Sequence, residues 1–228
     1  LTRNWNISFP HIKCISNALD IELIQEKAAQ THQLSCSIHS ETFVTAGRLA
    51  PEKGFVELLD VIELVKRKYP KVCLYIIGKG PLKDKLEKLI VEKELTNNVV
   101  LLGFQSNPYV IFKAVGNYIL SSHTEGMPNV LLEAMACGCR IFSTNCSGAK
   151  ELLLDHQSID QHNFQSQVAT VLPILKSSQD IELMANAIMD FLNKPTYFDS
   201  EKIEQHILKY DIQSIQLQWR SFIQDMLV

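Results

Sequence analysis

Residues 72 to 90 read VCLYIIGKGPLKDKLEKLI and contain the pattern of a strand, a tight turn and a helix in succession. The predicted strand, Val72 to Ile77, is apolar apart from Tyr75, which is typical of a strand that is covered on both faces. The predicted helix, Leu82 to Glu94, carries apolar residues at helical spacing on one side and charged residues on the other. This order indicates one half of a βαβ unit.

The same alternation extends in both directions, from Phe43 to Glu151. It predicts a Rossmann-like α/β fold, a parallel sheet with helices on both faces. Further strands are predicted at Phe43 to Ala46, Val99 to Leu102, Tyr118 to Leu120 and Ile141 to Thr144. Helices are predicted at Phe55 to Lys68, at Pro108 to Ala114, from Pro128 and from about Ala149.

The two ends of the chain lack this alternation. Before residue 40 the sequence predicts a strand at Ile12 to Ser16, a turn at Asn17 to Asp20 and then a polar loop. After His156 come a polar, Gln-rich stretch and one short apolar run, Val168 to Leu175. Three C-terminal helices are predicted, at Asp180 to Asn193, Glu201 to Tyr210 and Ile212 to Met226.

Composition narrows the function classes. The 46% apolar content includes no run long enough to span a bilayer, so no membrane span is expected. With a formal net charge of -3 and scattered Lys and Arg, the chain is not expected to bind nucleic acid. The six cysteines form no CxxC pair, which argues against a metal site or a disulfide framework and favours a cytoplasmic location. Cys137 and Cys139 are interpreted as buried packing residues.

Residues 125 to 138, EGMPNVLLEAMACG, carry the clearest chemical pattern. Pro128 suits the first turn of a helix and Gly138 suits its end. A helix start presents free backbone N–H groups, so the amides from Gly126 to Val130 are candidates to hold a diphosphate. Glu125 and Glu133 flank this site and are expected to accept hydrogen bonds from hydroxyl groups on either side of the phosphates. A nucleotide sugar has hydroxyls at both places.

Two strand-end turns add weaker signals. Arg48 and Lys53 lie in the turn GRLAPEKG, where they could neutralise a diphosphate, although surface cations are usually only solvated. The turn GKGP, Gly78 to Pro81, has two glycines but lacks the third glycine of a dinucleotide-binding fingerprint.

These motifs together resemble the C-terminal domain of the glycosyl transferases group 1 family, which are retaining enzymes of the GT-B fold. The resemblance runs from about Asn17 to Asp155. It rests on five motifs in this order: GRLAPEKG, IIGKGP, VVLLGF, SSHTEGMPNVLLEAMACG and STNCSGAKELL.

The resemblance implies roles for individual residues. Arg48 and Lys53 would bind the donor diphosphate in place of a metal, Glu125 would contact the donor sugar, and Glu133 the ribose hydroxyls. No DxD motif is present, so no metal or other cofactor is implied. The remaining implied donor-binding positions are Gly47, Gly78, Gly80, Phe104, Gly126, Met127, Pro128, Asn129 and Val130.

The resemblance also implies an organisation and an activity. Residues 1 to 16 would end an N-terminal acceptor domain and its hinge, 17 to 155 would bind the donor, and 156 to 228 would be a polar insertion and helical extension. The enzyme would transfer a hexosyl or N-acetylhexosaminyl group from a nucleotide sugar, with UDP favoured, to a glycan or lipid-linked acceptor in polysaccharide biosynthesis. The isolated chain would then be inactive, and the full-length protein could associate peripherally with a membrane.

Two other functions stay open from the residues alone. The chain could be a non-catalytic nucleotide-binding or assembly module of the same fold, although such a module needs no combination of Arg48, Lys53, Glu125 and Glu133. A sugar-nucleotide epimerase would need an acid and a base in the cleft, and no clear pair is present. His123 could serve on the donor side or simply be a loop residue.

Overall fold

The computed structural model describes residues 14–30, 38–154, 164–165, 168–195 and 200–226. They form a seven-stranded sheet in the order β3-β2-β1-β4-β5-β7-β6. The strands are β1 Thr42–Ala46, β2 Cys73–Ile77, β3 Val99–Gly103, β4 Asn117–Leu120, β5 Arg140–Thr144, β6 Phe164–Gln165 and β7 Ala169–Leu172. The helices are α1 Ile21–Ala28, α2 Phe55–Lys68, α3 Lys83–Glu92, α4 Tyr109–Val115, α5 Asn129–Ala136, α6 Ser147–Leu153, α7 Ser178–Asn193, α8 Ser200–Leu208 and α9 Ile212–Met226.

Parallel pairing joins six of these strands. β1 lies in the middle, with Val44 paired to Tyr75 of β2 on one side and to Tyr118 of β4 on the other. The short strand β6 pairs antiparallel with β7 at one edge. The predicted Rossmann-like α/β fold is confirmed.

The core has one apolar layer on each face of the sheet. Successive residues of a strand point to opposite faces, so Phe43 belongs to one layer and Val44 to the other. On the first face, the rings of Phe43 and Phe142 lie 5.9 Å apart and both contact Phe191 of α7. Burial of both sheet faces explains why the strands read as continuous apolar runs.

Most predicted elements lie within two residues of those observed, and the helix at Phe55–Lys68 has the predicted bounds. The helix that follows the turn at Asn17 to Asp20 was not predicted, and most of the polar Gln/Ser/His stretch predicted as a loop lies outside the described ranges. Residues Ile21–Ala28 form α1, whose first turn is capped by the Asp20 side chain accepting a hydrogen bond from the Leu23 N–H. Of the strand predicted at Ile12 to Ser16, only residues 14 to 16 lie within the described ranges, and they form no strand.

The sheet continues past residue 155, where the predicted donor-binding domain ends. β7 pairs with β5, and α7 packs against α2 on the first face. A capping box between Ser177 and Asp180 begins α7. Most of the predicted polar insertion, residues 155–163 and 166–167, lies outside the described ranges.

Leu19 connects the first described segment to the C-terminal helices. Its N–H donates to the Tyr210 carbonyl at 2.8 Å, and its carbonyl accepts from the Ile212 N–H at 2.9 Å. The two bonds hold the segment before α1 against the junction between α8 and α9. Among the helices of the described ranges, none is both long and apolar enough to cross a bilayer.

Candidate functional site

The strand order places a crevice beyond the carboxyl ends of β1 and β4. From β1 the chain proceeds to β2 and β3 on one side, whereas β4 and β5 continue on the other. Open α/β sheets bind ligands at this reversal of strand order. A cavity of about 240 Å³ opens there, lined by Ala46 and Gly47, by Lys53 and Glu125, and by residues 127 to 130.

Lys53 and Glu125 form an ion pair in the lining of this cavity. The Lys53 Nζ lies 2.6 Å from the Glu125 Oε1, and the two side chains are only 20% and 12% exposed. The sequence placed both residues at a donor site but did not predict that they would contact each other. Because the ammonium neutralises the carboxylate, an entering anion meets less repulsion than a free Glu125 would produce.

Hydrogen bonds between the loop after β1 and the loop after β4 fix the position of Lys53. The Ser121 Oγ donates to the Lys53 carbonyl at 2.8 Å, and the His123 N–H donates to the Glu52 carbonyl at 2.8 Å. The His123 Nε2 lies 3.6 Å from the Glu57 carboxylate at the start of α2. His123 is therefore a loop residue that lies beside α2 and does not line the cavity.

The start of α5 offers fewer free amides than the sequence predicted. Pro128 is the N-cap rather than the first helical residue, and it has no N–H. The Asn129 N–H donates to the Met127 carbonyl and the Leu131 N–H to the Pro128 carbonyl, both at 2.9 Å. Among the described residues, the N–H groups of Gly126, Met127 and Val130 have no hydrogen-bond partner. These three remain available to an anion.

The turn at Gly78 to Gly80 packs directly on the turn that follows β1, at Gly47 to Leu49. Gly78 has a φ of +146°, and a Cβ there would lie 1.8 Å from the Gly47 carbonyl oxygen. The Leu49 N–H donates to the Lys79 carbonyl at 2.9 Å and joins the two turns. The glycine at position 78 is required by this close backbone contact.

Glu133 is half-buried in α5, and burial raises the pKa of its carboxyl group. Glu133 makes no side-chain hydrogen bond or ion pair within the described ranges, although the sequence predicts that a charge in this apolar helix needs a partner. Burial also raises the pKa of Cys137 to about 12 and that of Cys139 well above its ordinary value. Both thiols are therefore protonated at neutral pH and unsuited to act as nucleophiles.

The sequence profile of the family described as "Glycosyl transferases group 1" matches residues 37 to 196. The chain belongs to this family. The predicted resemblance is therefore confirmed.

Two curated glycosyltransferases are similar to this chain over much of its sequence. It is 31% identical over 217 residues to the N-acetylgalactosamine-N,N'-diacetylbacillosaminyl-diphospho-undecaprenol 4-alpha-N-acetylgalactosaminyltransferase of Campylobacter jejuni, which covers 92% of the chain and 56% of the relative. It is 34% identical over 151 residues to an uncharacterised glycosyltransferase of Methanocaldococcus jannaschii, covering 64% of the chain and 37% of the relative. The chain thus spans about half or less of the length of these relatives.

Solved structures support the fold. TarM of Staphylococcus aureus, crystallised with fondaparinux, alpha-GlcNAc-glycerol and UDP, matches 95% of the chain and 40% of its own with a TM-score of 0.71 and 24% identity. A sucrose-phosphate synthase of Thermosynechococcus elongatus matches 99% of the chain and 55% of its own with a TM-score of 0.73 and 19% identity. At these identities the likeness concerns the fold alone.

Several positions singled out by the family resemblance do not line the cavity. Arg48 lies in the same turn as Lys53, but its side chain is exposed and its guanidinium makes no hydrogen bond or ion pair with another described residue. Glu133, Gly78 and Gly80 lie outside the lining as well. Phe104 follows β3 with 65% of its surface exposed, and the Lys79 ammonium lies 5.3 Å from its ring centroid. The structure thus brings Lys53, Glu125 and the α5 start together and leaves these five residues outside the cavity lining.

Ser122 is a site residue that sequence reasoning missed. Its Oγ donates to the Glu125 Oε1 at 2.7 Å. A serine three residues before a site glutamate was visible in the motif, but its contact depends on a loop conformation that periodicity does not predict.

Proposed function

We propose that this chain is the donor-binding half of a retaining, metal-independent glycosyltransferase. It would transfer a hexosyl or N-acetylhexosaminyl group from a UDP-sugar. The observation that carries this proposal is one cavity lined both by the Lys53–Glu125 ion pair and by Met127 and Val130, whose N–H groups have no partner among the described residues. A cation beside free N–H groups suits a diphosphate, and a carboxylate beside them suits sugar hydroxyls.

Each candidate residue has a place in this proposal. Lys53, with Arg48 turning in from the same loop, would bind the diphosphate together with the amides of Gly126, Met127 and Val130. Glu125 would accept a hydrogen bond from the transferred sugar and Glu133 one from the ribose. Phe104, with the turn formed by Gly78 and Gly80, would lie against the nucleotide base, beside the cavity walls formed by Gly47, Pro128 and Asn129.

The proposed mechanism relies on electrostatics and positioning. As the glycosidic bond breaks, negative charge builds on the departing diphosphate, where Lys53 and Arg48 would stabilise it. The acceptor would attack from the same face, and the departing phosphate would take its proton. The protein would then supply mainly orientation and fixed positive charge, which is why the proposal needs neither a metal nor a nucleophilic side chain.

Acceptor, pathway and location extend the proposal beyond the chain itself. The name of the Campylobacter relative describes an N-acetylgalactosaminyl transfer to a lipid-linked acceptor, and TarM was crystallised with UDP. We extend UDP and a glycan or lipid-linked acceptor in glycoconjugate biosynthesis to this protein, with the acceptor bound by a further domain before residue 17. No disulfide joins the cysteines of the described ranges, which supports a reducing, cytoplasmic location. We further propose peripheral membrane association of the full-length protein, where a lipid-linked acceptor would lie.

Isothermal titration of the chain with UDP, GDP and ADP tests nucleotide binding. We expect UDP to bind most tightly, and EDTA to leave its affinity unchanged. Lys53→Met should weaken UDP binding by about tenfold or more, since a charge-assisted phosphate contact is lost. Lys71→Met, which removes an exposed lysine at the opposite end of the sheet, is the matched control. A chain that binds none of the three nucleotides would instead favour a non-catalytic assembly module.

A further inference from the structure

The carboxylate of Glu125 is held through one of its two oxygens. The Lys53 Nζ lies 2.6 Å from Oε1, and the Ser122 Oγ donates to the same Oε1 at 2.7 Å. Within the described ranges these are the side-chain donors to this carboxylate. Oε1 thus has two donors, whereas Oε2 keeps its capacity to accept a hydrogen bond.

The backbone around this carboxylate is fixed independently of any ligand. Ser122 is 1% exposed, and its carbonyl accepts from the Thr144 Oγ1 at 2.6 Å. The Glu125 carbonyl accepts from the Ser147 Oγ and from the Gly148 N–H, both at 3.1 Å. Because both ends of the segment from Ser122 to Glu125 are anchored, the Ser122 hydroxyl is a rigid support for the Glu125 side chain.

The two donors respond differently to a bound diphosphate. Under the proposed function, on which this inference rests, the Lys53 ammonium turns toward phosphate oxygens and its contact with Glu125 weakens. The Ser122 hydroxyl carries no charge and is buried, so it is not drawn toward the phosphates. Its hydrogen bond to the Glu125 Oε1 therefore persists when the nucleotide sugar is bound.

We propose that Ser122 is a positioning residue for the donor sugar. Its hydroxyl holds the Glu125 Oε1, so that Oε2 stays in place to accept a hydrogen bond from a hydroxyl of the transferred sugar. Lys53 sets affinity for the diphosphate, which every nucleotide diphosphate shares. Ser122 sets the additional affinity that depends on the sugar.

The consequence is measurable as a ratio of two affinities. UDP lacks the sugar, so its binding does not depend on the orientation of Oε2. A UDP-sugar uses the oriented carboxylate and should bind more tightly than UDP. Removing the Ser122 hydroxyl should reduce this preference while leaving UDP affinity within about twofold, since the neutral hydroxyl does not contact the diphosphate.

Titrations with UDP, UDP-glucose, UDP-galactose, UDP-N-acetylglucosamine and UDP-N-acetylgalactosamine test the proposal. In the wild-type chain at least one UDP-sugar should bind more tightly than UDP. Ser122→Ala should lower that preference by about tenfold, the lower end of the loss expected for one buried hydrogen bond to a charged group. Ser122→Thr keeps the hydroxyl and should retain the preference.

Ser121→Ala is the matched control. Ser121 is also 1% exposed and adjacent in sequence, but its Oγ donates to the Lys53 carbonyl rather than to Glu125. This variant should change the affinities for UDP and the UDP-sugar by the same factor, so that their ratio stays at the wild-type value.

The outcomes separate this inference from the proposed function. A wild-type chain that binds UDP but prefers no UDP-sugar, or a Ser122→Ala variant that keeps the full preference, overturns the role of Ser122 and leaves nucleotide binding standing. The same holds if Ser122→Ala weakens UDP and the UDP-sugar equally, or if Ser122→Thr binds UDP normally without the preference. Absence of all nucleotide binding overturns both.

Discussion

Replacing Gly148 by alanine should disturb the candidate site, because helix α6 contacts the backbone of the loop that carries Glu125 and Gly126. Gly148 lies in the first turn of α6, where its N–H donates to the Glu125 carbonyl. A Cβ at this position would lie 2.2 Å from the Gly126 carbonyl oxygen and 2.8 Å from that of Glu125. These are backbone atoms, so the added methyl group must push the loop away from α6.

The distances set the size of the effect. Ordinary contact needs roughly 3.4 Å, so the Gly126 carbonyl must move by about 1 Å, and overpacking of this kind costs about 1–3 kcal/mol. Alanine favours a helix over glycine by about 1 kcal/mol, which offsets only part of this cost. Such a shift would carry the Gly126 and Met127 amides out of hydrogen-bonding reach of the diphosphate, and the loss of two bonds to a charged group weakens binding by about 100-fold. We therefore expect Gly148→Ala to bind UDP about 100-fold more weakly, with a melting temperature lowered by no more than roughly 8 °C.

Titration with UDP and thermal unfolding of the same preparation measure both quantities. Glu151→Ala, an exposed change in the same helix, is the control and should behave as wild type. If Gly148→Ala melts at a higher temperature and binds UDP normally, helix propensity governs this position. The claim that α6 positions the Glu125 loop would then be refuted.

Two further predictions concern residues beside the cavity. Burial raises the pKa of Glu133, so the folded chain binds its proton more tightly than the unfolded chain, and stability falls as the pH rises from 4.5 through the raised value. Thermal unfolding across this range should show a smaller decline in Glu133→Gln, which should also bind UDP about tenfold more weakly if Glu133 contacts the ribose. Phe104→Ala should weaken UDP binding by about tenfold if the exposed ring stacks on the base; unchanged affinity would remove Phe104 from the site.

Most strands and helices could be predicted from the spacing of apolar residues along the sequence. Strands such as Val72 to Ile77 and helices such as Phe55 to Lys68 follow from the spacing of apolar residues, because both faces of the sheet are covered. Helix α1 was missed although Asp20 is a good N-cap and Ile21, Ile24 and Ala28 have helical spacing. Its polar residues outweighed that short pattern.

The site was predictable only in part, because its contacts join distant loops. Lys53 and Glu125 are 72 residues apart, and their ion pair depends on β1 and β4 being neighbours in the sheet. Sequence order alone does not reveal that adjacency. The motif identified both residues and the α5 start, whereas the bond from Ser122 and the outward position of Arg48 depend on the conformations of individual loops.

The two backbone hydrogen bonds of Leu19 limit how far the chain can be shortened at its C-terminus. Leu19 is held by Tyr210 and Ile212, and two residues earlier Asn17 donates to the Asn129 side chain at 3.1 Å beside the cavity. A shortened version that stops before residue 210 would lose α9 and both hydrogen-bond partners of Leu19, and would loosen the segment that holds Asn17 beside the cavity. Shortened versions made for expression or crystallisation should therefore keep residues 210 to 226 whenever nucleotide affinity is to be measured.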